Sequence, residues 1–313
     1  MKILLVEPAT DDLEIERSIL GDQLTTDMSS TDQIKVAVVH QTIVDSEFLA
    51  QFRGLRGVVR QGVGYDKVCL ESCRDRGIVV SNVPDYCVGE VADTTLAMIL
   101  DMLRGIREIE SCLKKNPQRW QSLALKRVRS TSQLTLGVIG AGRIGDAVLR
   151  RAEPFGFRRI FYDPAVNACQ GAESVSDLDT LLGLADIVSL HVPGNKQNRG
   201  MVDGTFIAKM KRGAMFVNTA RGMLVADDAL LLDAICQGQL SAIALDVLPE
   251  EPPSQSVLFE AWRNNLAEIE GRVCITPHVA FHSAEASARV RQYAAEEALR
   301  VFEDRVARYS VFE

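Results

Sequence analysis

The sequence lacks several features that would indicate a membrane protein, a nucleic-acid-binding protein, a metal-binding protein or a secreted protein. No apolar run approaches the roughly 20 residues that are needed to span a bilayer. Long lysine or arginine runs are absent, and the net charge of −7 argues against a nucleic-acid surface. The seven cysteines are scattered without CxxC or another metal-type spacing, so we expect reduced thiols and no metal site. The opening, MKILLVEPATDD, turns acidic too soon for a signal peptide, and we therefore expect a cytoplasmic protein.

The remaining composition is that of a two-domain globular chain. It has 313 residues, of which 47% are hydrophobic and 25% charged. Short apolar runs alternate with helical patterns, which predicts α/β architecture with parallel sheets. The predicted strands are Lys2–Val6, Val36–Val39, Gly57–Arg60, Val79–Asn82, Leu136–Ile139, Arg159–Tyr162, Ile187–Val192, Ala214–Asn218, Ala242–Asp246 and Val273–Ile275. A long helical pattern over Val88–Lys115 joins the two series, and we expect the amphipathic Ala284–Tyr309 to return and cover the first.

The most informative stretch is LTLGVIGAGRIGDAVLRRAEPFGFRRIFYD, residues 134–163. A strand runs into Gly140, Gly142 and Gly145, and a helix and a second strand follow. In this context Gly140 permits a tight turn, Gly142 lets the backbone approach a pyrophosphate, and Gly145 lets helix and strand pack closely. The helix N-terminus offers N–H groups and a positive dipole end to phosphates. The stretch predicts a dinucleotide site, although a plain strand–helix turn would also use glycines.

The second strand of this stretch ends on Asp163, which lies 18 residues beyond the last glycine. A carboxylate at this position accepts hydrogen bonds from the adenosine ribose hydroxyls. It also repels a 2′-phosphate. The sequence therefore predicts NAD(H) as the cofactor, preferred over NADP(H).

Unusual residues follow three later strands, where ligands bind in sheets of this kind. Arg221 in NTARG suits a carboxylate, although a surface salt bridge would also explain it. The acids of DVLPEEPP, Glu250 and Glu251, are stiffened by prolines, and a solvated turn is the alternative. His278 in TPHVA follows a strand, and a structural histidine is the alternative. Together an arginine, an imidazole and a carboxylate supply an anchor, a proton donor and its partner for reduction of a 2-oxo acid.

In combination these motifs resemble the D-isomer-specific 2-hydroxyacid dehydrogenase family. The resemblance runs from about residue 57 to residue 280 and is carried by RQGVGYD, GVIGAGRIG, NTARG, ALDVLPEEPP and TPHVA, in that order. NVPDYCVGEVADTTLAMIL, FYDP and NTARGMLV are similar to the C-terminal-binding-protein group. That group has tryptophan near the end of the last motif, where this chain has Phe281, so we expect a different pocket wall and a different substrate preference.

The resemblance implies roles for individual residues. Arg221 would bind the carboxylate and carbonyl of the substrate, His278 would be the acid/base, and Glu251 its partner, since the family's acid lies five residues after the aspartate of the DV motif. Arg60, Val63, Gly64 and Phe281 would contact substrate, the first three around an anion-binding glycine loop. The implied cofactor-binding residues are Gly140, Gly142, Arg143, Ile144, Gly145, Asp163, His191, Val192, Pro193, Thr219, Ala220 and Asp246, the last holding the nicotinamide carboxamide.

The resemblance also implies an architecture and partners. We expect two Rossmann-like domains with parallel sheets, in which an NAD-binding domain, residues 97–281, is inserted into a flavodoxin-like substrate domain, residues 1–96 and 282–313. The expected activity is reversible, NAD(H)-dependent reduction of a 2-oxo acid to the (R)-2-hydroxy acid by a homodimer joined through the nucleotide domains. The alternative is an NAD(H)-responsive dimeric scaffold with little catalysis. A lower-ranked alternative is oxidation of an unusual donor such as phosphite or formate. The charged stretch over residues 254–271 is expected to reshape the cleft lip or a subunit contact.

Overall fold

The computed structural model describes residues 1–8, 10–121, 125 and 127–312. The chain divides into two compact units, one formed by residues 1–87 with 282–313 and the other by residues 88–281. The sequence placed this boundary after residue 96. In the structure it lies nine residues earlier, because the helix that begins at Val88 packs along its length within the second unit.

Twelve strands form two sheets. They are β1 (Lys2–Leu5), β2 (Leu24–Thr25), β3 (Ile34–Val39), β4 (Gly57–Arg60), β5 (Val79–Ser81), β6 (Thr135–Ile139), β7 (Arg158–Tyr162), β8 (Glu173–Ser174), β9 (Ile187–Leu190), β10 (Ala214–Asn218), β11 (Leu240–Leu245) and β12 (Val273–Ile275) in the described part of the chain. Each of the ten strands predicted from the sequence is present, with ends that differ by two residues or fewer. The two very short strands β2 and β8 were not predicted.

The α-helices of the described residues lie between these strands and at the end of the chain. They are α1 (Glu14–Leu20), α2 (Ser46–Ala50), α3 (Leu70–Asp75), α4 (Val88–Arg104), α5 (Ile106–Lys115), α6 (Arg143–Ala152), α7 (Leu178–Leu184), α8 (Gly204–Lys209), α9 (Asp228–Cys236), α10 (Val257–Arg263) and α11 (Ala284–Phe302). Several begin at an aspartate or serine that caps the first turn, as Asp203 does by accepting a hydrogen bond from the amide of Phe206 at 2.8 Å.

The first unit has a five-stranded parallel sheet in the order β2-β1-β3-β4-β5. This is the flavodoxin-like order, and α11 packs against α1, β3 and β4 as the return of the last helix predicted. A buried ion pair joins the two helices, with Arg291 Nε and Glu16 Oε1 2.7 Å apart. The core of the first unit consists mainly of aliphatic side chains, together with the packed rings of Phe48 and Phe52.

The second unit has a seven-stranded parallel sheet in the order β12-β11-β10-β9-β6-β7-β8. The order reverses between β6 and β9, which is the Rossmann arrangement with its ligand site at the point of reversal. Strands β6, β9 and β10 are buried throughout, so their apolar runs form two core layers, one on each face. The glycine motif follows β6 directly, and the sheet therefore brings it to the carboxyl edge.

Three helical predictions need correction. The single helix expected over Val88–Lys115 is two helices, because Gly105 between them is left-handed, with a φ of 63°. The helix expected to run to Tyr309 ends at Phe302, and the chain then turns back so that the amide of Val311 bonds to the carbonyl of Val80 on β5. Helix α10 lies in the stretch over residues 254–271, for which no helix was predicted.

The described part of the chain contains no membrane-spanning helix, no cluster of metal ligands and no disulfide bond. No helix there is long and apolar enough to cross a membrane. No group of three or more histidine, cysteine, aspartate or glutamate side chains among the described residues is placed to hold a metal ion. None of the seven cysteines, all of which lie in described ranges, forms a disulfide bond.

Candidate active site

The glycine turn after β6 shows why two of its three glycines are needed for the fold. Gly140 has a φ of 89°, and a Cβ there would lie 2.8 Å from the backbone of His191. A Cβ on Gly145 would lie 2.0 Å from the carbonyl oxygen of Gly140. The turn therefore excludes side chains at Gly140 because of its conformation and its packing, and at Gly145 because α6 packs closely on β6.

Gly142 differs from the other two, because nothing in the protein requires it. Its φ of −68° is open to any residue, and a Cβ would meet no atom within 4 Å. It caps the N-terminus of α6, where the first amides and the positive end of the helix dipole are presented. Arg143 and Ile144 form the first turn beside it, exposed and half-buried respectively. A bare backbone at a helix N-terminus fits a pyrophosphate lying against it.

Asp163, at the end of β7, is held against this turn. Its Oδ2 accepts a hydrogen bond from the amide of Ala141 at 2.8 Å, and its Oδ1 accepts bonds from Ala165 and Val166 at 2.8 and 3.1 Å. A carboxylate has about four acceptor positions, so capacity remains for ribose hydroxyls. The arrangement fits the adenosine half of a dinucleotide and presents a negative charge to it.

The loop after β9 lies beside the glycine turn. The imidazole Nε2 of His191 is 2.9 Å from Ser189 Oγ, and burial lowers the pKa of His191 to about 3, so the ring is neutral. A methyl carbon of Val192 would be 2.9 Å from a Cβ on Gly140. The carbonyl of Pro193 accepts a hydrogen bond from the side-chain amide of Asn198 at 3.0 Å. The neutral imidazole of His191 suits an uncharged part of a ligand.

A tight turn follows β10 and carries Arg221. The buried Asn218 holds it, because its side chain accepts from the amide of Ala220 at 3.0 Å and donates to the carbonyl of Arg221 at 2.9 Å. Thr219 is also buried, with its hydroxyl 2.8 Å from that of Thr95 on α4. Thr95 donates its own proton to a carbonyl of its helix, so the hydroxyl of Thr219 is the donor between them.

Two glycines let the Arg221 turn come close to its neighbours. A Cβ on Gly222 would lie 1.7 Å from the carbonyl oxygen of Leu248, in the loop after β11. A Cβ on Gly194 would lie 2.7 Å from Cγ of Arg221. The turn is therefore packed directly on the backbone of the loop that carries the acids.

That loop brings one of its two glutamates to the imidazole. Glu251 Oε2 lies 2.7 Å from His278 Nδ1, and Glu251 Oε1 accepts the amide of Leu248 at 3.0 Å. Glu250 instead bonds to Ser254, at 2.7 and 2.8 Å from its hydroxyl. The bond to Nδ1 leaves Nε2 as the imidazole atom that is available to a ligand.

The charges around Glu251 act on its protonation. Burial alone would raise its pKa, but the hydrogen bond and charge of His278, the amide of Leu248 and the charge of Arg221 together lower the pKa of Glu251 below its usual value. The carboxylate is therefore ionised near neutral pH, as a partner for a protonated imidazole must be. The same effects show that the field of Arg221 reaches this pair.

Asp246 directly follows β11, is buried inside the fold and is 2% exposed. Its carboxylate accepts bonds from the hydroxyl of Thr276 and from the amides of Val279 and Ala280, and burial raises its pKa against these bonds. His278, between these residues, has a φ of 57°, which is uncommon for a residue with a side chain. The role of Thr276 and that of Asn218 were not foreseen, although each stands at the end of an apolar strand.

Of the remaining predicted residues, Phe281 lies beside the turn that carries His278, and the other three lie in the first unit. Phe281 packs edge-on to His278, with ring centroids 6.4 Å apart.

In the first unit, the carbonyl of Val63 accepts a bond from the side chain of Asn82 at 2.7 Å. The guanidinium of Arg60 folds over the same glycine loop and donates to the carbonyl of Gln61. Gly62 makes room for it, since a Cβ there would be 2.5 Å from Nη1 of Arg60. Gly64 is half-buried.

Comparisons of the sequence with known proteins give a consistent result. The model of the NAD-binding domain of D-isomer specific 2-hydroxyacid dehydrogenases matches residues 96–280. D-3-phosphoglycerate dehydrogenases of Mycobacterium bovis and Mycobacterium tuberculosis are 36% identical over 251 residues, which is 79% of this chain. The chain spans 45% of the length of these curated relatives.

Solved structures resemble the whole chain. D-lactate dehydrogenase of Aquifex aeolicus, in complex with NAD and lactic acid, is 26% identical, with a TM-score of 0.86 over 100% of this chain and 99% of that one. The TT0316 protein of Thermus thermophilus is 28% identical, with a TM-score of 0.83 over 99% of this chain and 100% of that one. The predicted fold class, two parallel-sheet units of Rossmann-like type, is confirmed.

Proposed function

This chain belongs to the D-isomer specific 2-hydroxyacid dehydrogenase family, and we propose that it reversibly reduces a 2-oxo acid to the (R)-2-hydroxy acid with NAD(H). The observation that carries the proposal is the 2.7 Å contact between Glu251 Oε2 and His278 Nδ1, within the field of Arg221. A cation, an imidazole and an ionised carboxylate can supply an anchor for the substrate, a proton donor and a partner for that donor in the reduction of a 2-oxo acid.

Each of the three residues has one proposed task. Arg221 binds the carboxylate and the carbonyl oxygen of the substrate and stabilises the charge that develops there. His278 gives the proton on Nε2 to that oxygen. Glu251 holds the Nδ1 proton, which orients the ring and favours its charged form. In the oxidation direction His278 takes the proton back.

The residues around the glycine turn are proposed to hold NADH, which supplies the hydride when bound. Gly142 and the first turn of α6, with Arg143 and Ile144, would receive the pyrophosphate. Asp163 would receive the adenosine ribose. His191, Val192, Pro193, Thr219, Ala220 and Asp246 are proposed to line the rest of the site. The neutral state of His191 supports a place for it beside an uncharged group.

We propose that Asp163 also makes the protein prefer NADH to NADPH. Replacing Asp163 by asparagine removes the charge that repels a 2′-phosphate. Its NH2 group would also face one of the backbone amides that Asp163 binds, so the ratio between the two cofactors is the quantity to compare. We expect the ratio of kcat/KM for NADPH to that for NADH to rise by about tenfold, or about 1.4 kcal/mol. Steady-state kinetics with both cofactors measures it, and an unchanged ratio would show that another residue selects the cofactor.

Replacing Glu251 by glutamine tests the imidazole–carboxylate pair. In the reductive direction the imidazole must be protonated, and Glu251 stabilises that form by its charge. Glutamine removes the charge whose interaction with His278 lowers the pKa of Glu251, so we expect the basic limb of the kcat profile to move to lower pH, together with a lower maximum. Glu250→Gln is the matched control, because Glu250 bonds to Ser254 and is expected to leave the profile unchanged.

Four further residues are proposed to contact substrate. Arg60, Val63 and Gly64, in the first unit, offer a cation and a glycine loop that suit an anionic group. Phe281 is proposed to form a wall of the pocket for the substrate side chain, and its edge-on packing against His278 supports that place. We expect substitutions of these four residues to change the KM values for different 2-oxo acids more than they change kcat.

NADH oxidation by the purified protein against a panel of 2-oxo acids tests the proposed activity. The panel runs from glyoxylate and pyruvate to phenylpyruvate, hydroxypyruvate and phosphate-bearing analogues, with NADPH in parallel. Turnover that disappears in His278→Ala would support the proposal. Tight NADH binding without turnover, and an oligomer size that depends on NADH, would favour the scaffold function instead.

We also propose a cytoplasmic homodimer that is joined through the second unit. Helix α5 of that unit has no buried residue, and Ile106 and Trp120 on and after it are 56% and 72% exposed. Two exposed large apolar side chains in this segment of the second unit support the choice of that unit for the subunit contact. Light scattering on the purified protein measures the mass, for which we expect twice the 34.4 kDa of the chain.

A further inference from the structure

The carboxylate of Asp246 bonds to several residues of the loop that carries His278. Its Oδ1 accepts the hydroxyl of Thr276 at 2.6 Å and the amide of Val279 at 2.9 Å, and its Oδ2 accepts the amide of Ala280 at 2.9 Å. The backbone carbonyl of Asp246 accepts the amide of His278 at 2.7 Å. Four bonds thus run from one residue to four of the five residues over 276–280.

These bonds surround a strained position. His278 has a φ of 57°, and a left-handed residue with a side chain persists only where its surroundings hold it. Helix α4 adds a bond to the far end of the turn, from the hydroxyl of Thr94 to the carbonyl of Ala280 at 3.2 Å. Because the backbone conformation sets the direction of Cβ, it also sets where the imidazole points.

We infer that Asp246 is a positioning residue, which holds the turn over residues 276–280 left-handed at His278 and so aims the imidazole at Glu251. The inference rests on the proposed function of His278 as the acid. It adds a role to the carboxamide contact that the resemblance implies for Asp246. The two are compatible, since a carboxylate has about four acceptor positions and the turn takes three.

An aspartate is better suited to this task than an asparagine. Three donors converge on the two oxygens, so both oxygens must accept. The NH2 group of an asparagine would face a donor from one side or the other. Asp246 is also tied to the Arg221 turn, because its amide donates to the carbonyl of Asn218 at 2.9 Å. The same residue therefore connects the segments that carry all three proposed catalytic residues.

Thr276→Val tests the inference without touching a group that is proposed to bind cofactor or substrate. Valine keeps the shape of threonine and removes one donor to Asp246, whereas Thr276→Ser retains the hydroxyl and is the matched control. We expect Thr276→Val to lower kcat by about tenfold. The KM for the 2-oxo acid and the Kd for NADH are expected to stay within about twofold, and the serine variant to recover most of kcat.

A spectroscopic measurement makes the test independent of turnover. The chain has four histidines, so ¹⁵N-histidine NMR resolves the ring of His278, assigned with His278→Gln. With the ring in its neutral form, we expect the proton on Nδ1 in the wild type and Thr276→Ser, and exchange between the two tautomers in Thr276→Val and Asp246→Asn. Wild-type ring shifts in both of the latter variants would overturn the inference, even if no 2-oxo acid is turned over. A parallel loss of kcat, NADH binding and thermal stability would overturn it too, as it indicates a merely structural role.

Discussion

Replacing His278 by alanine is expected to lower kcat by roughly 10²- to 10⁴-fold, the usual contribution of a positioned acid. The Kd for NADH is expected to stay within about twofold, because the imidazole bonds to Glu251 and does not belong to the glycine turn. His278→Gln should be as inactive as the alanine variant, since an amide does not give up a proton at neutral pH. NADH oxidation and NADH fluorescence titration measure the two quantities.

Val279→Ala is the matched control for this experiment. Val279 is the next residue in the same turn, its side chain is 43% exposed, and its amide, which alanine retains, makes the bond to Asp246. We expect wild-type kcat from it. A His278 variant that turns over like the wild type would remove this residue from the mechanism. Loss of activity in Val279→Ala of the same size would attribute the effect to the turn as a whole.

Replacing Gly142 by alanine is expected to weaken NADH binding by about a hundredfold, or about 2.7 kcal/mol, without unfolding the protein. The open space at Gly142 means that the new methyl group meets no protein atom, whereas a pyrophosphate at the N-terminus of α6 would meet it. The melting temperature without cofactor is expected to change by less than about 3 °C, since glycine is only moderately better than alanine at an N-cap. Isothermal titration calorimetry and thermal unfolding check both values.

Substitutions of two other glycines serve as controls for Gly142→Ala. Gly204 begins α8 and also has open space around a built Cβ, so Gly204→Ala should change neither NADH affinity nor stability by much. Gly145→Ala places a methyl group 2.0 Å from a carbonyl oxygen and should lower the melting temperature as well as the affinity. Full NADH affinity in Gly142→Ala would mean that the cofactor does not approach this part of the turn.

The sequence by itself determined the strands, the glycine turn and the parallel architecture. Apolar runs such as Ala214–Asn218 and Val273–Ile275 form strands at the predicted bounds. A strand that is buried in a parallel sheet consists almost entirely of apolar residues, so its composition alone indicates where it lies in the sequence. Gly140 and Gly145 were predictable because their constraints, a positive φ and a close contact with the neighbouring turn, arise within a few residues of chain. Local chemistry suffices where the interacting groups are neighbours in sequence.

Only the tertiary structure decided which distant residues meet. Without the resemblance, Glu250 and Glu251 are equivalent in the sequence, and the loop after β11 turns one to Ser254 and the other to His278. The bonds of Asp246 to the turn over residues 276–280 cross 30 or more positions and depend on β11 and β12 being neighbours in the sheet. The domain boundary before Val88 likewise follows from the packing of α4 against α6. A helical pattern in the sequence does not show which element the helix will pack against. Long-range contacts follow from the arrangement of the sheet, which no local stretch of the chain encodes.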